Sequence, residues 1–394
     1  MYDAIVVGAR CAGAATAMLL SRMGYRVLLI DRASFPSDTM STLYIHQPGI
    51  ALLRKWGLLD AVAEAGTPKL TRLTYATQDV TVHGPIPALG DVDGTYAPRR
   101  HILDQIVVDA AVAAGTEFRD RTKVVGLLRD GDRVTGVRLR TAGGREAEER
   151  AHLVVGADGM RSTVARLADA AHDRSDPLMT CVYYGVWENL EAHFEFYERP
   201  GNWISVIPTN DARTVVSTYF PQASFSTVRK DPMTWFEAGV RHTAPGLHER
   251  MAQARQVERL RGTGEQRNFR RRPFGPGWCL VGDAGCHKDT ITARGITDAF
   301  IQADLLVNSA GRFLQEATLL DSALANFAKK RDQVLAGPYR TALEVARLEI
   351  PASRTAMLKI ISESPCFTES YLAVLAGIKP LSTLLTPELL EQLS

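Results

Sequence analysis

The chain has 394 residues, about twice the usual size of one domain, so its length predicts two closely packed domains. Its 46 Lys and Arg against 44 Asp and Glu leave a net charge of +2, which gives no electrostatic reason to expect a nucleic acid as partner. The five cysteines form neither a zinc-ligand spacing nor an even-numbered disulfide framework, and this pattern favours a reducing cytoplasm. A strand starts almost at residue 1 and the apolar stretches are short, so we expect neither a signal peptide nor a membrane span.

The N-terminal segment predicts a β-α-β unit of about thirty residues. An apolar run over residues 3–8 is typical of a buried parallel strand and ends in Gly8. A helix rich in small residues follows over 13–23 and is closed by Gly24, and a second apolar strand covers 26–31. Strand, helix and strand in this order predict two parallel strands with a helix packed on them.

The segment GARCAG at the start of this helix matches the pattern of a dinucleotide-binding turn. Gly8 permits the tight turn out of the strand, Gly13 lets the helix approach the sheet, and the helix N-terminus offers free amides to a pyrophosphate. Asp31 ends the second strand, where an acid accepts from an adenosine ribose hydroxyl. Arg10 replaces the middle glycine, so its side chain must point away from the phosphates or lie over them as a cation. The alternative is a helix start whose small residues serve packing alone. Candidate contacts are Gly8, Ala9, Arg10, Cys11, Ala12, Gly13, Asp31 and Arg32.

The next elements mix helices and strands. In chain order we expect a helix over 48–56, an extended segment over 71–83 that ends before Pro85 and Pro87, a helix over 100–114, a hairpin of strands 123–128 and 134–140, and a buried strand over 152–156.

From about residue 170 the sequence changes character. Alternating, aromatic-rich segments within 170–270 predict an antiparallel sheet, with strands over 181–187, 193–197, 203–207 and 213–220. A buried-strand pattern returns at 278–281, a helix is expected over 295–309, and the pattern is helical from 315 onward. Because no repeat or low-complexity linker separates these parts, we expect the domains to interleave.

Two further motifs follow buried strands, GADGMRSTVAR at 156–166 and WCLVGDAGCHKDTITARGITDAF at 278–300. Taken alone, the first is also a common turn followed by a helix cap. With GARCAG before them, the three resemble the FAD-dependent superfamily of p-hydroxybenzoate hydroxylase-like (class A flavoprotein) monooxygenases, geranylgeranyl reductase-like enzymes and flavin-dependent halogenases. The resemblance covers about residues 1–310. It implies an α/β fold in which a Rossmann-like FAD-binding domain with a parallel sheet interleaves with an antiparallel-sheet substrate domain, followed by C-terminal helices.

The resemblance also implies domain boundaries. The FAD-binding domain is expected at 1–70, 98–168 and 270–335, the substrate domain at 71–97 and 169–269, and a C-terminal helical segment at 336–394. Leu and Ile recur at helical spacing in that last segment, which predicts core, a lid over the substrate cavity or a contact in a homodimer.

Further FAD contacts are implied in the same way. Asp158 and Gly159 would form a turn supporting FAD and a passing nicotinamide cofactor, and Asp283 would bond the ribityl chain. Helix N-terminal amides after Ala293 would face the flavin pyrimidine, where a helix dipole stabilises negative charge. These implied contacts are Arg100, Asp158, Gly159, Gly282, Asp283, Arg294, Gly295 and Ile296.

The third motif departs from the family pattern at three positions. Cys286 stands where the family has His, Thr290 where it has Pro and Ala293 where it has Gly. These changes bear on the face of the flavin that reacts with oxygen. The pair Cys286–His287 lacks a third ligand and an orienting acid, so no metal is expected.

For the reaction, the resemblance implies an NADH- or NADPH-dependent monooxygenase that uses O2 to hydroxylate or epoxidise a small aromatic or polycyclic substrate, of the kind found in secondary metabolism, through a flavin C4a-hydroperoxide. No side chain is singled out as catalytic, because the flavin supplies the reactivity. Only one dinucleotide fingerprint is present, which favours transient docking of the nicotinamide cofactor; a separate flavin reductase is the alternative donor.

Three other functions stay open. The stretch WISVIP at 203–208 resembles both the halogenase WxWxIP motif and a geranylgeranyl reductase-like motif, with Ser205 in place of Trp in each. A reductase or dehydrogenase of an apolar substrate is therefore the main alternative, and a halogenase, with Lys69 as its only candidate lysine, is a lesser one. The third is an FAD-binding protein without turnover.

Candidate substrate contacts follow from the same resemblance. Thr42, Tyr44, His46, Trp203 and Thr290 are expected to line the substrate cavity, with ordinary packing as the alternative. A basic cluster of Arg267, Arg270, Arg271 and Arg272 could meet nicotinamide-cofactor phosphates or form a solvated face.

Overall fold

The computed structural model describes residues 1–393, which form three sheets and thirteen helices. The strands are β1 (Tyr2–Val7), β2 (Val27–Ile30), β3 (Arg72–Ala76), β4 (Thr81–Pro85), β5 (Glu117–Arg119), β6 (Thr122–Asp130), β7 (Arg133–Thr141), β8 (Glu146–Gly156), β9 (His172–Asp176), β10 (Thr180–Glu188), β11 (Phe194–Arg199), β12 (Asn202–Thr209), β13 (Arg213–Pro221), β14 (Arg255–Thr263), β15 (Asn268–Arg271), β16 (Phe274–Gly275), β17 (Trp278–Leu280) and β18 (Cys286–His287). The helices are α1 (Cys11–Arg22), α2 (Gln47–Lys55), α3 (Leu59–Glu64), α4 (Arg100–Ala113), α5 (Thr163–Leu167), α6 (Phe225–Val228), α7 (Pro232–Thr243), α8 (Pro245–Ala252), α9 (Gly295–Ala310), α10 (Ala317–Val345), α11 (Ala352–Glu363), α12 (Pro365–Leu375) and α13 (Pro387–Gln392).

The first sheet is built on parallel strands in the order β17-β8-β1-β2-β5. The strand β1 lies in its middle, and its residues are buried apart from the half-buried Asp3, which explains its continuous apolar sequence. The helix α1 packs against both α4 and α9 over one face. The expected Rossmann-like α/β fold is confirmed, and the carboxyl ends of β1 and β8 meet at one edge.

The second sheet has seven strands in the order β14-β10-β13-β12-β11-β3-β4. Its pairs are antiparallel except β11 with β3, which run parallel. The alternating pattern predicts an antiparallel sheet, and this one parallel pair departs from the prediction. The exception arises because β3 and β4 enter this sheet from an earlier part of the chain, between α3 and α4, and periodicity within a strand carries no information on its partner's direction.

Three helices, α6, α7 and α8, lie in the segment for which the sequence pattern predicts an antiparallel sheet. Asp231 caps α7 by accepting from the Thr234 amide, and Pro232 occupies the first turn. Asp followed by Pro is a helix-start signal that the aromatic alternation around it obscures. The helices α7 and α8 pack on the face of the second sheet that holds Trp187, which stacks on Phe236 of α7.

The C-terminal part is helical, as expected from 315 onward, and α11 and α12 pack on β4 of the second sheet. They close a second apolar core together with residues of β3, β11 and β12. Within residues 1–393, no helix is both long enough and apolar enough to cross a membrane.

Candidate active site

The turn after β1 has two positions that only glycine fits. Gly8 has φ +103°, and a Cβ there would lie 2.4 Å from the Ala157 carbonyl oxygen. A Cβ at Gly13 would lie 1.7 Å from the Gly8 carbonyl oxygen, so this glycine is what lets α1 approach the strand. No side chain caps the first turn of α1. Its free amides and positive dipole end therefore form a cradle suited to a diphosphate.

Asp31 is fixed beside this cradle at the end of β2. Its Oδ2 accepts from the Ala9 amide and its Oδ1 from the Ala33 amide, both at 2.8 Å. Each carboxylate oxygen retains a further lone pair. This geometry suits a ribose hydroxyl, while the neighbouring Arg32 is exposed.

Arg10 turns its side chain toward α4 and the segment that follows β2. Its Nη1 lies 2.7 Å from Asp104 Oδ2 and 3.3 Å from the Ser37 carbonyl oxygen, and its Nη2 lies 3.2 Å from Ser37 Oγ. The backbone of Arg10 is extended, with φ −87° and ψ −170°, so its conformation does not require glycine.

Asp104 binds a second arginine and a thiol. Arg100 Nη2 lies 2.9 Å and 3.0 Å from the two Asp104 oxygens, and Cys11 Sγ lies 3.2 Å from Oδ1. Burial alone would lower the pKa of the Arg100 guanidinium, but the charge of Asp104 raises it, and Asp283 contributes in the same direction. Asp104 is missing from the residues expected at the site, although its spacing of four from Arg100 on a helix was a usable signal.

The DG motif, residues 158–159 of the second motif, forms a capped turn. Asp158 Oδ1 accepts from the Ser162 hydroxyl and Oδ2 from the Thr163 and Val164 amides, while Gly159 takes φ +79°. Burial raises the pKa of the Asp158 carboxyl, and these hydrogen bonds oppose the rise. Its carboxylate therefore caps α5. This is the role of a turn followed by a helix cap, which the motif has when it is taken alone.

The GD motif, residues 282–283 of the third motif, lies directly against α1, the helix that follows the dinucleotide-binding turn. Gly282 has φ +61°, and a Cβ there would come 2.9 Å from the Ala12 Cβ. Asp283 is exposed beside it. Arg271 joins this motif to the DG motif, because its Nη1 donates to the Ala284 carbonyl at 2.8 Å and its Nη2 to the Met160 carbonyl at 3.3 Å.

The basic cluster is thus not uniformly solvated. Arg271 is buried, and its burial lowers the pKa of the guanidinium. Arg267 and Arg272 are exposed, and Arg270 is half-buried. The interpretation as a solvated face is wrong for Arg271, whose hydrogen bonds are internal.

The N-terminus of α9 also carries no side-chain cap. Ala293 just before it is left-handed, with φ +52°, a conformation that favours glycine. Inside the first turn, the buried Asp298 pairs with both Lys288 and Arg294. Burial opposes ionisation of Asp298, but the two cations lower its pKa. One carboxylate between two cations leaves one net positive charge beside free helix amides, which suits a ligand that carries negative charge.

His46 packs on this same turn as a neutral ring. Its Nε2 lies 2.9 Å from the Thr292 carbonyl oxygen, and because a carbonyl only accepts, Nε2 carries the proton. Burial and the charge of Arg294 lower the pKa of His46 to about 3. Its Nδ1 is buried without a hydrogen-bond partner among residues 1–393 and faces Gly377, where a Cβ would lie 3.1 Å away.

A packed aromatic cluster lies between the second sheet, the loop that precedes α9 and the C-terminal helices. Its members are Tyr44, Tyr75, Phe194, Phe196, Trp203, Tyr219 and Tyr371, in one core with Ile291 and Ala293 of the loop. Two polar atoms around it, Trp203 Nε1 and Thr292 Oγ1, are buried without a hydrogen-bond partner in the described part of the chain, and the Tyr44 hydroxyl is buried beside Thr95. Buried polar groups are normally paired, so these atoms favour a ligand with hydrogen-bonding groups.

The sequence-predicted substrate residues fall in different places around this cluster. Tyr44, His46 and Trp203 are buried in or beside it. Thr290 is exposed and accepts from the Tyr219 hydroxyl at 3.2 Å through its carbonyl, and Thr42 is half-buried in the loop before Tyr44.

Two cavities show where space exists. One of about 10 Å³, room for a single water, is bounded by Asp38, Ser41, Leu43 and Arg99 next to the aromatic cluster. Another of about 210 Å³ lies by Arg150 and His152, toward the amino ends of the parallel strands. Ligands of such sheets bind at the carboxyl ends, so the second cavity is separate from the candidate site.

Cys286 and Lys69, the two residues named for other chemistries, differ in exposure. Cys286 is buried, which raises the pKa of its thiol, and residues 1–393 contain no cluster of three or more metal-ligating side chains. Lys69 is exposed and paired with Asp93.

Comparison with known proteins gives a consistent family. A family model described as an FAD binding domain matches residues 1–309. The digeranylgeranylglycerophospholipid reductase of Methanosarcina mazei is 29% identical over 316 residues, covering 76% of this chain and 72% of that protein. The rifampicin monooxygenase of Streptomyces venezuelae is 32% identical over 173 residues, covering 43% of this chain and 34% of that protein. The structure of the flavin-dependent brominase Bmp2 superimposes with a TM-score of 0.82 at 19% identity, covering 95% of this chain and 93% of that chain, which is a likeness of fold.

Proposed function

We propose that this chain, which belongs to the FAD binding domain family of oxidoreductases, is a monooxygenase that hydroxylates or epoxidises a small aromatic or polycyclic molecule. FAD supplies the electron transfer and the activation of O2 when it is bound, with NADH or NADPH as the electron donor. The observation that carries the proposal is the aromatic cluster with its unpaired polar atoms beside the α9 N-terminus.

The residues present fit FAD along its length. The uncapped start of α1 and the two required glycines suit the diphosphate, and Asp31 suits the adenosine ribose. Asp283 is available to the ribityl chain, and the amides of Gly295 and Ile296 to the pyrimidine edge. Asp158 and Gly159 support this arrangement through the turn that Arg271 ties to the GD motif. The domain boundaries given above place these residues in one discontinuous FAD-binding domain, and we retain them as part of the proposal.

The chain's own contribution is to exclude water and orient the substrate. The aromatic cluster is buried and packed, and aromatic faces favour stacked or edge-on contact with another ring. Trp203 Nε1 can only donate, whereas the Tyr44 and Thr292 hydroxyls donate and accept. A substrate with a phenolic or carbonyl oxygen would satisfy the indole N–H. Because the adjacent cavity of about 10 Å³ has room for only one water, the segment 38–43 must move for a ring to enter.

Reduction of an apolar substrate is the second candidate, favoured by the extent of the match to the Methanosarcina mazei reductase. A plain isoprenoid chain, however, would leave Trp203 Nε1 and the Thr292 hydroxyl unpaired, at a cost of about 1–3 kcal/mol for each buried group. Halogenation is not proposed, since Lys69 is exposed and Ser205, in place of the motif's second Trp, bonds Ser217 within the second sheet.

The reaction is tested with the purified holoprotein. We expect the flavin absorbance to bleach on anaerobic addition of NADH or NADPH, and a phenolic substrate to gain one oxygen atom when air is admitted. Saturation of an added prenyl chain without oxygen incorporation would replace the proposal with the reductase. If neither nucleotide bleaches the flavin, the flavin is reduced with light and air is then admitted. Oxygenated product would show that a partner reductase is needed, and its absence would contradict the monooxygenase reaction.

Replacing Trp203 with Phe tests the proposed orientation of the substrate. The change keeps the ring and removes the unpaired N–H, so we expect KM to rise about fivefold, the equivalent of one neutral hydrogen bond of about 1 kcal/mol. Trp187→Phe is the matched control, because Trp187 lies on the opposite face of the same sheet, stacked on Phe236. Equal KM values for the two variants would contradict the role given to Trp203.

A further inference from the structure

Arg10 connects three separate parts of the chain around the fingerprint turn. It starts in the turn itself, contacts Asp104 of α4, and reaches both the carbonyl and the hydroxyl of Ser37. The guanidinium also lies 5.9 Å from the Phe35 ring. The segment 35–37 follows the strand that Asp31 ends, so it belongs to the surroundings of the adenosine half of FAD.

The charged groups around Arg10 leave it only a shared partner. Asp104 has 1% of its side chain exposed and is shared by Arg10 and Arg100, while Asp283 is a second anion that acts on Arg100. Arg10 lies at the uncapped N-terminus of α1, whose dipole is also positive. A partly exposed cation beside a helix start favours an anion as ligand, and the diphosphate of FAD carries two negative charges.

The side chain of Arg10 remains partly accessible, with 28% exposed, whereas that of Arg100 has 11% exposed. Arg10 is therefore the outer member of the pair, and Arg100 the inner one. An outer cation held by the inner carboxylate and by Ser37 can close over a ligand without moving α4.

We propose that Arg10 is a positioning residue for FAD, a clasp that fastens the segment 35–37 to α4 over the adenosine diphosphate half of the cofactor. In this sequence, the arginine at the middle fingerprint position strengthens cofactor retention rather than weakening it. The proposal rests on the FAD family alone and is independent of the monooxygenase reaction.

The decisive variant is Arg10→Gly, which restores the glycine usual at this position. We expect it to raise the dissociation constant of FAD at least tenfold, measured by recovery of flavin fluorescence on titration of the deflavinated protein. ADP, followed as a competitor of FAD, should lose affinity by a similar factor, whereas riboflavin, which lacks the diphosphate, should bind as before. Added salt should weaken FAD binding more in the wild type than in the variant, since the lost contact is ionic.

Two further variants separate a clasp from a structural role. Arg10→Lys keeps the charge but loses the fork, so an intermediate FAD affinity is expected. Arg10→Ala and Arg54→Ala form a matched pair of variants, because Arg54 forms an exposed Arg–Asp pair with Asp91 away from the fingerprint. Of the two, only Arg10→Ala should weaken FAD binding. Equal or tighter FAD binding in Arg10→Gly would overturn the proposal, and so would equal losses for riboflavin and ADP. If Arg10→Gly does not fold, Arg10→Lys decides by the same comparison, with unchanged FAD and ADP affinity as the contrary result.

Discussion

At the scale of single residues, His46 shows how burial fixes a protonation state. The ring donates from Nε2 to the Thr292 carbonyl and is covered at Nδ1 by Gly377, while Arg294 lies near enough to repel a second proton. A charged imidazolium would have neither solvent nor a carboxylate at Nδ1. His46 therefore acts as a fixed hydrogen-bond donor and not as a group that titrates near neutral pH.

This protonation state predicts a pH dependence of stability. The pKa of His46 falls from 6.5 to about 3 on folding, so the unfolded chain binds the extra proton first. The contribution to stability is complete well above pH 6.5 and is lost as the pH falls toward 3, with about 2 kcal/mol lost by pH 5. In His46→Gln, whose amide can still donate to Thr292, denaturant unfolding should show a correspondingly shallower loss over this interval. Parallel stability curves for the two proteins would contradict the assignment.

At the scale of elements, an ion pair joins α11 to the second sheet. Arg354 Nη1 and Nη2 lie 2.9 Å and 2.8 Å from the two oxygens of Glu198 on β11, and Nη2 lies 2.8 Å from the Tyr75 hydroxyl on β3. The Glu198 side chain is fully buried. A bidentate contact of this kind sets the position of the helix as well as its attachment.

Breaking this pair from one side should destabilise the protein. Arg354→Met leaves a buried carboxylate with only the Tyr75 hydroxyl, and we expect a loss of about 3 kcal/mol in the free energy of unfolding. The double variant with Glu198→Gln removes the stranded charge and should recover at least half of that loss. Unfolding in denaturant measures both values, and a double variant less stable than Arg354→Met would show that the pair is not the source of the effect.

The sequence predicts an element when the residues that determine it lie within that element or next to it in the chain. The runs at 3–8 and 26–31 give β1 and β2 because a buried parallel strand is apolar on both faces. The helices α6, α7 and α8 are missed, although Asp231 and Pro232 signal the start of α7. The parallel pairing of β3 with β11 depends on chain segments more than a hundred residues apart, and no pattern within either strand contains it.

At the scale of the whole molecule, the C-terminal segment is part of the core. Leu358, Ile361, Tyr371 and Leu372 belong to the same apolar core as Trp203 and the loop before α9. These helices lie beyond residues 1–309, which the family model matches. The sequence pattern predicts core, lid or subunit contact for this segment; in residues 1–393 it forms part of the core, and the other two roles stay predictions.

A charge introduced into that core should detach the segment. Leu372 is 1% exposed, and one of its methyl groups would be 2.8 Å from a Cβ at Gly84. We expect Leu372→Asp to unfold at a free energy several kcal/mol below wild type and to bind a hydrophobic dye in buffer. Leu381→Asp, at a leucine with 46% exposed, is the matched control and should remain close to wild type. Similar melting of both variants would contradict the packing described.

The candidate site is predicted from sequence only where a residue's own backbone or charge sets its role. Gly8, Gly13 and Asp31 follow from the fingerprint, since the turn and the strand end fix them. Asp104 and the direction of the Arg10 side chain do not, because both depend on how α4 packs beside α1. The cofactor roles of these residues stay predictions until binding is measured.

The contact of α12 with the start of α2 also bears on protein synthesis. The Gln47 amide donates to the Ala376 carbonyl at 3.1 Å, so an early and a late part of the chain meet beside His46. At the usual speed of a ribosome, tens of seconds of elongation separate these two residues. The site is therefore complete only after α12 has left the exit tunnel, and until then the nascent chain must keep its unfinished apolar core from aggregating.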